Sequence, residues 1–181
     1  MIALLDANLF VPTWIIDPLL SLAEAGLCEP AWSARVMDEA RLAIMEVRHV
    51  PDVRARGFLD AICRAFPMAK DWERFEPDVN LSDPNDGHVV AAARRAGAET
   101  IVTFNLKDFP ADELSRYGLH AQSPDVFLTS VFDAHPEEAM DAMRRLVSSK
   151  RHPPRTMSEE IEHLRVLRLP LFARRLSETV G

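Results

Sequence analysis

The 181-residue sequence has little glycine, two cysteines and no long apolar run. Only 6 residues are glycine and 48% are hydrophobic, so the chain is able to form a sizeable core. No apolar run approaches the roughly 20 residues of a membrane span. The start, MIALLDANLF, has no basic segment and is interrupted by Asp6, unlike a signal peptide. Cys28 and Cys63 lack the spacing of a metal site and are predicted to be buried, reduced thiols. We therefore expect a cytoplasmic protein without a membrane segment.

Several enzyme classes are excluded because their motifs are missing. No G-x-G or G-K-[ST] motif is present, which argues against dinucleotide-binding and P-loop proteins. Serine and cysteine hydrolases are disfavoured because no nucleophile elbow is found. A dehalogenase-like phosphatase needs a second acid two residues after the first, where this chain has Asn8. A receiver-like site has Lys107 available but lacks an early pair of acids.

The charges are unevenly distributed along the chain. The net charge is -7, yet residues 144–175 contain 9 basic and 3 acidic residues, a local balance of +6. Arginine accounts for 18 of the 21 basic residues, and its planar fork suits phosphate and carboxylate groups. Two interpretations stay open for this basic segment: a solvated helical face that pairs with acids, or a contact surface for nucleic acid or a partner.

Short apolar runs alternate with helical patterns, which predicts an α/β fold with a central, mainly parallel sheet flanked by helices. We expect residues 1–130 to form this domain and residues 131–181 to form a C-terminal helical extension. Apolar stripes that include Val47, Val126 and Leu171 are predicted to face inward. The predicted strands are Ile2–Leu5, Leu27–Trp32, Thr100–Phe104 and His120–Gln122, with a further candidate near Trp72–Phe75. Helices are predicted to begin at Asp17, with Pro18 in the first position, after Ser33, at Pro51, at Gly87 and after Ser123. From Pro136 the chain is predicted to be wholly helical, with a capping box formed by Thr156 and Glu159.

The stretch from Asp83 to Pro110 is the most informative part of the sequence. Asp83 and Asp86 precede an alanine-rich helical run that Gly97 would end. Asn105 and Asp108 follow the strand TIVTF, and Asp6 follows the first strand. Ligand sites in open parallel sheets form beyond the carboxyl ends of the strands. These acids are therefore placed for chemistry, although each alone could be a helix cap or turn former.

A cluster of such carboxylates requires a cation. At about 4 Å and an effective dielectric constant near 20, each pair repels by roughly 4 kcal/mol. Carboxylate and amide oxygens suit Mg²⁺ or Mn²⁺, and such a centre can activate a water for attack on a phosphodiester. For Asp6 and Asp108 together we favour a metal site.

Three segments resemble a PIN domain in order and spacing, namely LLDANLF, MDEARLA and DPNDGHVVAAARRAGAETIVTFNLKDFP. Within that family the chain is most similar to the VapC-type toxin nucleases of bacterial toxin–antitoxin pairs, over most of residues 1–130. The resemblance implies an α/β fold and a Mg²⁺- or Mn²⁺-dependent endoribonuclease. The alternative is a PIN-like binding module that has lost catalysis and acts through a protein or RNA partner.

The resemblance also implies roles for individual residues. Asp6, Asp86 and Asp108 would bind the metal, and Glu39 would orient a water, although pattern alone makes Glu39 a solvent-facing residue. Asn105 stands where the family usually has an aspartate, and either Asn105 or Asp108 could fill that position. Thr103 would steady the loop, whereas His88 is interpreted as a surface or packing residue. The implied partners are an RNA substrate and a cognate antitoxin protein, and family members often dimerise.

Overall fold

The computed structural model describes residues 1–69, 79, 85–151 and 153–180, without the side chain of Val180. Asp83 and the strand candidate near Trp72–Phe75 lie outside the described residues. In the described part, the sheet consists of β1 (Ile2–Leu5), β2 (Glu29–Ala31), β3 (Thr100–Val102) and β4 (His120–Gln122). The described helices are α1 (Thr13–Glu24), α2 (Ala34–Arg48), α3 (Asp52–Ala65), α4 (Gly87–Ala96), α5 (Ala111–Leu114), α6 (Pro124–Ala134), α7 (Pro136–Ser149), α8 (Met157–Val166) and α9 (Pro170–Val180).

The sheet is parallel throughout, with the strand order β2-β1-β3-β4. This arrangement confirms the predicted α/β class. Leu5 of β1 lies opposite Val102 of β3, and Val102 lies opposite Gln122 of β4. Pro30 is in β2, at the edge of the sheet, where a residue without a backbone N–H is tolerated. The chain adds β2 on one side of β1 and then β3 and β4 on the other side, so the strand order reverses between β1 and β3.

The chain forms two compact units, and both are discontinuous in sequence. Unit 1 contains Met1–Pro12 and Glu29–Gln122, and unit 2 contains Thr13–Cys28 and Ser123–Gly181. The first helix of the chain therefore belongs to the same unit as the C-terminal helices. The boundary at residue 130, expected from sequence similarity, stays a prediction.

Unit 1 contains the sheet and the helices α2 to α5. Helix α4 contacts β1 and β3, and α2 packs against α3. Ser33 caps α2 by accepting from the N–H of Val36, and Gly97 ends α4 with a positive φ of 66°. Trp32 is fully buried and makes edge-to-face contacts with Phe10 and Phe66. These local caps and the aromatic cluster fix the helices around the sheet.

Unit 2 is a helical assembly in which α1 contacts α6 and α7, and α9 contacts α6 and α8. The buried carboxylate of Asp125 in α6 accepts from the backbone N–H groups of Leu171 and Phe172, at 3.1 and 2.9 Å. It therefore caps the start of α9 from a neighbouring helix. The capping box of Thr156 and Glu159 is present, as predicted.

A second buried acid in unit 2 joins two cations. Glu160 is fully buried and accepts from Lys150 Nζ at 2.6 Å and from Arg155 Nη1 at 3.0 Å. Burial by itself would raise the pKa of the Glu160 carboxyl, but the hydrogen bonds from Lys150 and Arg155 outweigh that effect and lower the pKa. The carboxylate is thus held in its charged form.

Some helical predictions are wrong in start or phase. Helix α1 begins at Thr13 rather than Asp17, so Pro18 lies inside it, because the buried Ile15 and Ile16 extend the helix towards its N-terminus. Val47 and Val126 are exposed rather than inward-facing, because the buried stripes of their helices run through Ile44 and Phe127. Leu171 is also exposed. Its stripe is displaced because Arg168, at a φ of 73°, separates α8 from α9, and Phe172 takes the buried position.

Two predictions from composition are tested by the described residues. Neither cysteine forms a disulfide; Cys28 is buried and Cys63 is half-buried. Among the described helices, none has the length and apolar character needed to cross a bilayer.

Candidate active site

Asp6 and Thr103 meet where the strand order of the sheet reverses. Each residue directly follows a strand, β1 for Asp6 and β3 for Thr103. The backbone N–H of Asp6 donates to the carbonyl oxygen of Val102 at 3.1 Å, which continues the pairing of the two strands. The Thr103 hydroxyl then donates to Asp6 Oδ2 at 2.6 Å. This hydrogen bond joins two residues that are 97 positions apart in sequence. They lie at the carboxyl ends of the strands, where open parallel sheets bind their ligands.

The carboxylate of Asp6 is held by three hydrogen bonds. Oδ1 accepts from the backbone N–H of Ala7 at 2.7 Å, and Oδ2 accepts from Thr103 and from Asn8 Nδ2, each at 2.6 Å. A carboxylate has about four acceptor positions. The described bonds fill three of them and fix the orientation of the group.

Asn8 and Thr103 extend this network to the loop after β3. Asn8 Nδ2 also donates to Thr103 Oγ1 at 3.0 Å, and Asn8 Oδ1 accepts from the N–H of Phe104 at 3.4 Å. The N–H of Asn105 donates to Thr103 Oγ1 at 3.0 Å. Thr103 is fully buried. The hydroxyl of Thr103 therefore couples the position of Asp6 to the start of the loop that contains Asn105.

The surroundings of Asp6 disfavour its charge. The residue is only 9% exposed, and this burial raises the pKa of its carboxyl. The hydrogen bonds from Thr103 and Ala7 oppose the rise in pKa, the negative charge of Glu39 adds to it, and His88 opposes it. The net pKa is above its ordinary value. A carboxyl with a perturbed pKa at a strand end is a typical functional residue.

Glu39 and His88 form a second pair beside Asp6. His88 Nε2 lies 3.1 Å from Glu39 Oε2, and Arg35 Nε donates to Glu39 Oε1 at 3.2 Å. His88 Nδ1 lies 2.7 Å from the carbonyl oxygen of Asn85. A carbonyl oxygen accepts only, so Nδ1 carries a proton. When the ring is protonated on both nitrogens, Nε2 donates to Glu39 Oε2 and the two groups form an ion pair.

The other predicted residues are placed as follows. Asp86 is half-buried at the N-cap of α4, and its side chain makes no capping bond to that helix. Asn105 is exposed, and Asp108 is half-buried in the turn Leu106–Asp108. Within residues 1–69, 79, 85–151 and 153–180, no group of three or more His, Cys, Asp or Glu side chains is arranged to hold a metal ion. The metal roles of Asp6, Asp86 and Asp108 therefore stay predictions, as does the choice between Asn105 and Asp108.

Sequence reasoning missed two residues of this site. In the sequence Asn8 stands out only as a position without an acid, yet its amide bridges Asp6 and Thr103. The LDAN motif, with a polar residue two positions after the acid, is the signal that could have identified it. The sequence predicts His88 to be a surface or packing residue, but it contacts Glu39, which is 49 residues away in sequence. No local spacing could have predicted that contact.

The comparison with protein families defines the class. The PIN domain family model matches residues 3–107, more than half of the chain. The chain belongs to the PIN domain family, which confirms the predicted resemblance. A second model, described as VapC50 C-terminal domain, matches residues 124–178.

A particular relative gives a more specific likeness. The chain is 44% identical over 71 residues to a Mycobacterium tuberculosis (strain ATCC 25618 / H37Rv) protein named "Putative ribonuclease VapC50". The match covers 39% of this chain and 42% of that relative, so the chain spans less than half of the relative's length. No solved structure gives a significant match.

Proposed function

We propose that the protein is a divalent-metal-dependent endoribonuclease and the toxin of a type II toxin–antitoxin pair. Its membership of the PIN family and its likeness to a protein named a ribonuclease support this proposal. The observation that carries it is the state of Asp6. This buried carboxylate lies where the strand order reverses, next to the charge of Glu39. A bound cation would lower its raised pKa and so stabilise the charged form.

The chemistry of the donors suits a hard divalent cation. Asp6 and Glu39 offer carboxylate oxygens, and one acceptor position of Asp6 is left by its described hydrogen bonds. We propose Asp6, Asp86 and Asp108 as direct or water-mediated ligands of Mg²⁺ or Mn²⁺. Because Mg²⁺ usually keeps several waters, it does not require a full protein cage. When bound, such an ion activates water and neutralises phosphate charge.

The protein residues around that centre have separate tasks. Thr103 and Asn8 hold the Asp6 carboxylate in one orientation, which is the condition for precise positioning. Glu39, held by Arg35 and His88, orients a water towards the substrate. When protonated on both nitrogens, His88 carries a proton on Nε2 that it can transfer to a leaving oxygen. Asn105 contacts a metal water or a phosphate through its exposed side chain.

The proposed partners follow from the same assignment. The substrate is RNA, and a cognate antitoxin protein binds the acidic site and blocks it. A homodimer in the cytoplasm is the expected form, since members of the family often dimerise.

A second candidate is a PIN-like binding module without catalysis. Two observations favour it: Asn105 replaces the usual acid, and the described residues contain no trio of metal-ligating side chains. Retention of Asp6, Glu39 and Asp86 argues for the nuclease.

The deciding experiment compares RNA cleavage with added Mn²⁺ by the wild type, Asp6→Asn and Asp60→Asn. Asp60 is an exposed acid of α3, so its variant is a matched control for loss of one charge. We expect Asp6→Asn to reduce cleavage by at least about 100-fold, Asp60→Asn to retain it and a chelator to abolish it. Circular dichroism confirms folding of each variant. Equal cleavage by wild type and Asp6→Asn, or none by either, would favour the binding module.

A further inference from the structure

A cationic pocket of about 270 Å³ lies within unit 2, which does not contain Asp6 or Glu39. The pocket is lined by residues of helix α1, of the segment between α7 and α8, and of α8 itself. Three of the lining side chains carry a permanent positive charge. The residues used below are Trp14, Lys150, Arg151, Pro153, Arg155 and His163.

The buried carboxylate of Glu160 anchors two of the cations. Lys150 and Arg155 each give one donor to Glu160, and their side chains remain 20% and 26% exposed. An ammonium group has three donors and a guanidinium group has five. In the described part of the chain, donors of both groups are therefore left for a ligand in the pocket. Because Glu160 fixes them, these cations lose little conformational freedom when an anion binds.

Arg151 adds a positive charge to the pocket. Most cations of residues 144–175 pair with acids, for example Arg174 with Glu178 and Arg175 with Asp133. Arg151 is exposed and forms no ion pair with any described residue. Including Asp17, which also lines the pocket, the formal charges are three positive and two negative, a balance of +1.

The electrostatics of His163 agree with a positive pocket. Burial lowers the pKa of its imidazole, and the nearby charges of Arg155 and Lys150 lower the pKa further, against the opposing charge of Glu160. His163 is therefore a neutral group near neutral pH and presents one acceptor and one donor.

The pocket also contains an aromatic side chain that suits a planar ring. Trp14 is half-buried and lines the pocket together with Pro153. Nucleobases of every kind can stack on an aromatic side chain. An acidic peptide would use the cations but would gain little from the indole. The volume is close to the lower end of small-ligand pockets, about 300 Å³, which corresponds to a single nucleotide.

We propose that this pocket binds one nucleotide, with its phosphate on Arg151, Lys150 and Arg155 and its base against Trp14. A free mononucleotide and a nucleotide within an RNA strand share this chemistry. The second source rests on the proposed function, because it assumes that the protein handles RNA. The site would be a nucleotide contact outside the catalytic centre.

The test measures binding by the full-length chain in the presence of a chelator, so that no metal-dependent cleavage occurs. The probes are a fluorescently labelled single-stranded oligoribonucleotide, adenosine monophosphate and a glutamate-rich peptide. Arg151→Glu is compared with Arg145→Glu, since Arg145 is exposed on α7 and does not line the pocket. Thermal unfolding establishes that both variants are folded. Quenching of tryptophan fluorescence provides a second readout of base stacking near Trp14.

We expect Arg151→Glu to weaken binding about tenfold, the effect of one charged hydrogen-bonding contact, and Arg145→Glu to weaken it less than about threefold. Tighter binding of adenosine monophosphate than of the oligoribonucleotide identifies a free-nucleotide site, and the reverse identifies a strand-binding site. Equal weakening by both variants, or tighter binding of the acidic peptide, would overturn the proposal. Absence of RNA cleavage in the separate assay with Mn²⁺, together with Arg151-dependent binding in the assay with chelator, refutes the nuclease assignment and leaves this site intact.

Discussion

Substitution of Thr103 by valine is expected to disturb Asp6 without changing the shape of the site. Valine is close to threonine in size but lacks its hydroxyl. The change removes the bond to Asp6 Oδ2 at 2.6 Å and the acceptor for Asn8 and for the N–H of Asn105. Asn8 and Ala7 would still donate to Asp6. The variant therefore tests the contribution of one hydroxyl to the charged carboxylate.

The expected fall in the free energy of unfolding follows from the hydrogen bonds that Thr103→Val removes. A hydrogen bond to a charged group contributes about 1.5–3 kcal/mol and a neutral one about 0.5–1.5 kcal/mol. Water can replace the lost partner of the exposed Asn105. We expect the free energy of unfolding to fall by about 2–4 kcal/mol. At about 2–4 °C per kcal/mol for a chain of this size, Tm falls by about 4–16 °C.

The loss of stability should depend on pH, with a sign set by Asp6. The bond from Thr103 lowers the pKa of the Asp6 carboxyl, so it favours the charged form. Its contribution is present above the Asp6 pKa and is lost as pH falls through that value. The stability difference between wild type and Thr103→Val is therefore larger at neutral pH than below the Asp6 pKa, which lies above its ordinary value.

The assay is urea unfolding of the metal-free protein across the acidic range, with Thr103→Ser as the matched control. Serine retains the hydroxyl and loses one methyl group, which costs about 1 kcal/mol in a core. Its loss of stability should be independent of pH. The acidic limb of the pH profile of RNA cleavage should also move to higher pH in Thr103→Val, because the hydrogen bond that lowers the Asp6 pKa is removed. A valine variant with wild-type stability and an unmoved acidic limb would refute this account of Asp6.

Three further changes test other parts of the molecule. His88→Leu removes the proton-bearing partner of Glu39 and should reduce RNA cleavage about 10- to 100-fold, while thermal unfolding stays close to wild type. Glu160→Gln weakens the anchor of two cations in unit 2 and should destabilise the protein by about 3 kcal/mol, measured by urea unfolding. Asp125→Ala removes the cap of α9 and should cost about 1–2 kcal/mol in the same measurement. A free energy of unfolding within error of wild type for either unit 2 variant would contradict the assigned contact.

Features that depend on neighbouring residues were largely predictable from sequence. The cap at Ser33, the glycine stop at Gly97 and the capping box at Thr156 are formed as predicted. The meeting of Asp6 with the end of β3 is a long-range feature, yet it follows from the rule that strand ends at a reversal of strand order lie together. General rules of sheet topology therefore predict that Asp6 lies close to the end of β3.

The features that the sequence did not predict depend on how particular side chains are oriented. The contact of His88 on α4 with Glu39 on α2 depends on where the fold places two helices that are distant in sequence, which no local pattern contains. The burial errors at Val126 and Leu171 are errors of helical phase, since a shift of one residue rotates a side chain by about 100°. The pairing of Arg175 with Asp133, 42 residues away, likewise follows from the fold of unit 2.

Because α1 belongs to unit 2, the chain cannot be divided simply between its N-terminal and C-terminal parts. A polypeptide ending at residue 122 would retain α1, with its apolar residues Ile15, Ile16, Leu19 and Leu22, but would lose the helices α6 and α7 that cover it. Such a fragment should aggregate during expression. The C-terminal helices therefore cannot be exchanged on their own. A relative with different C-terminal helices would also need a different sequence in α1, between its first two strands.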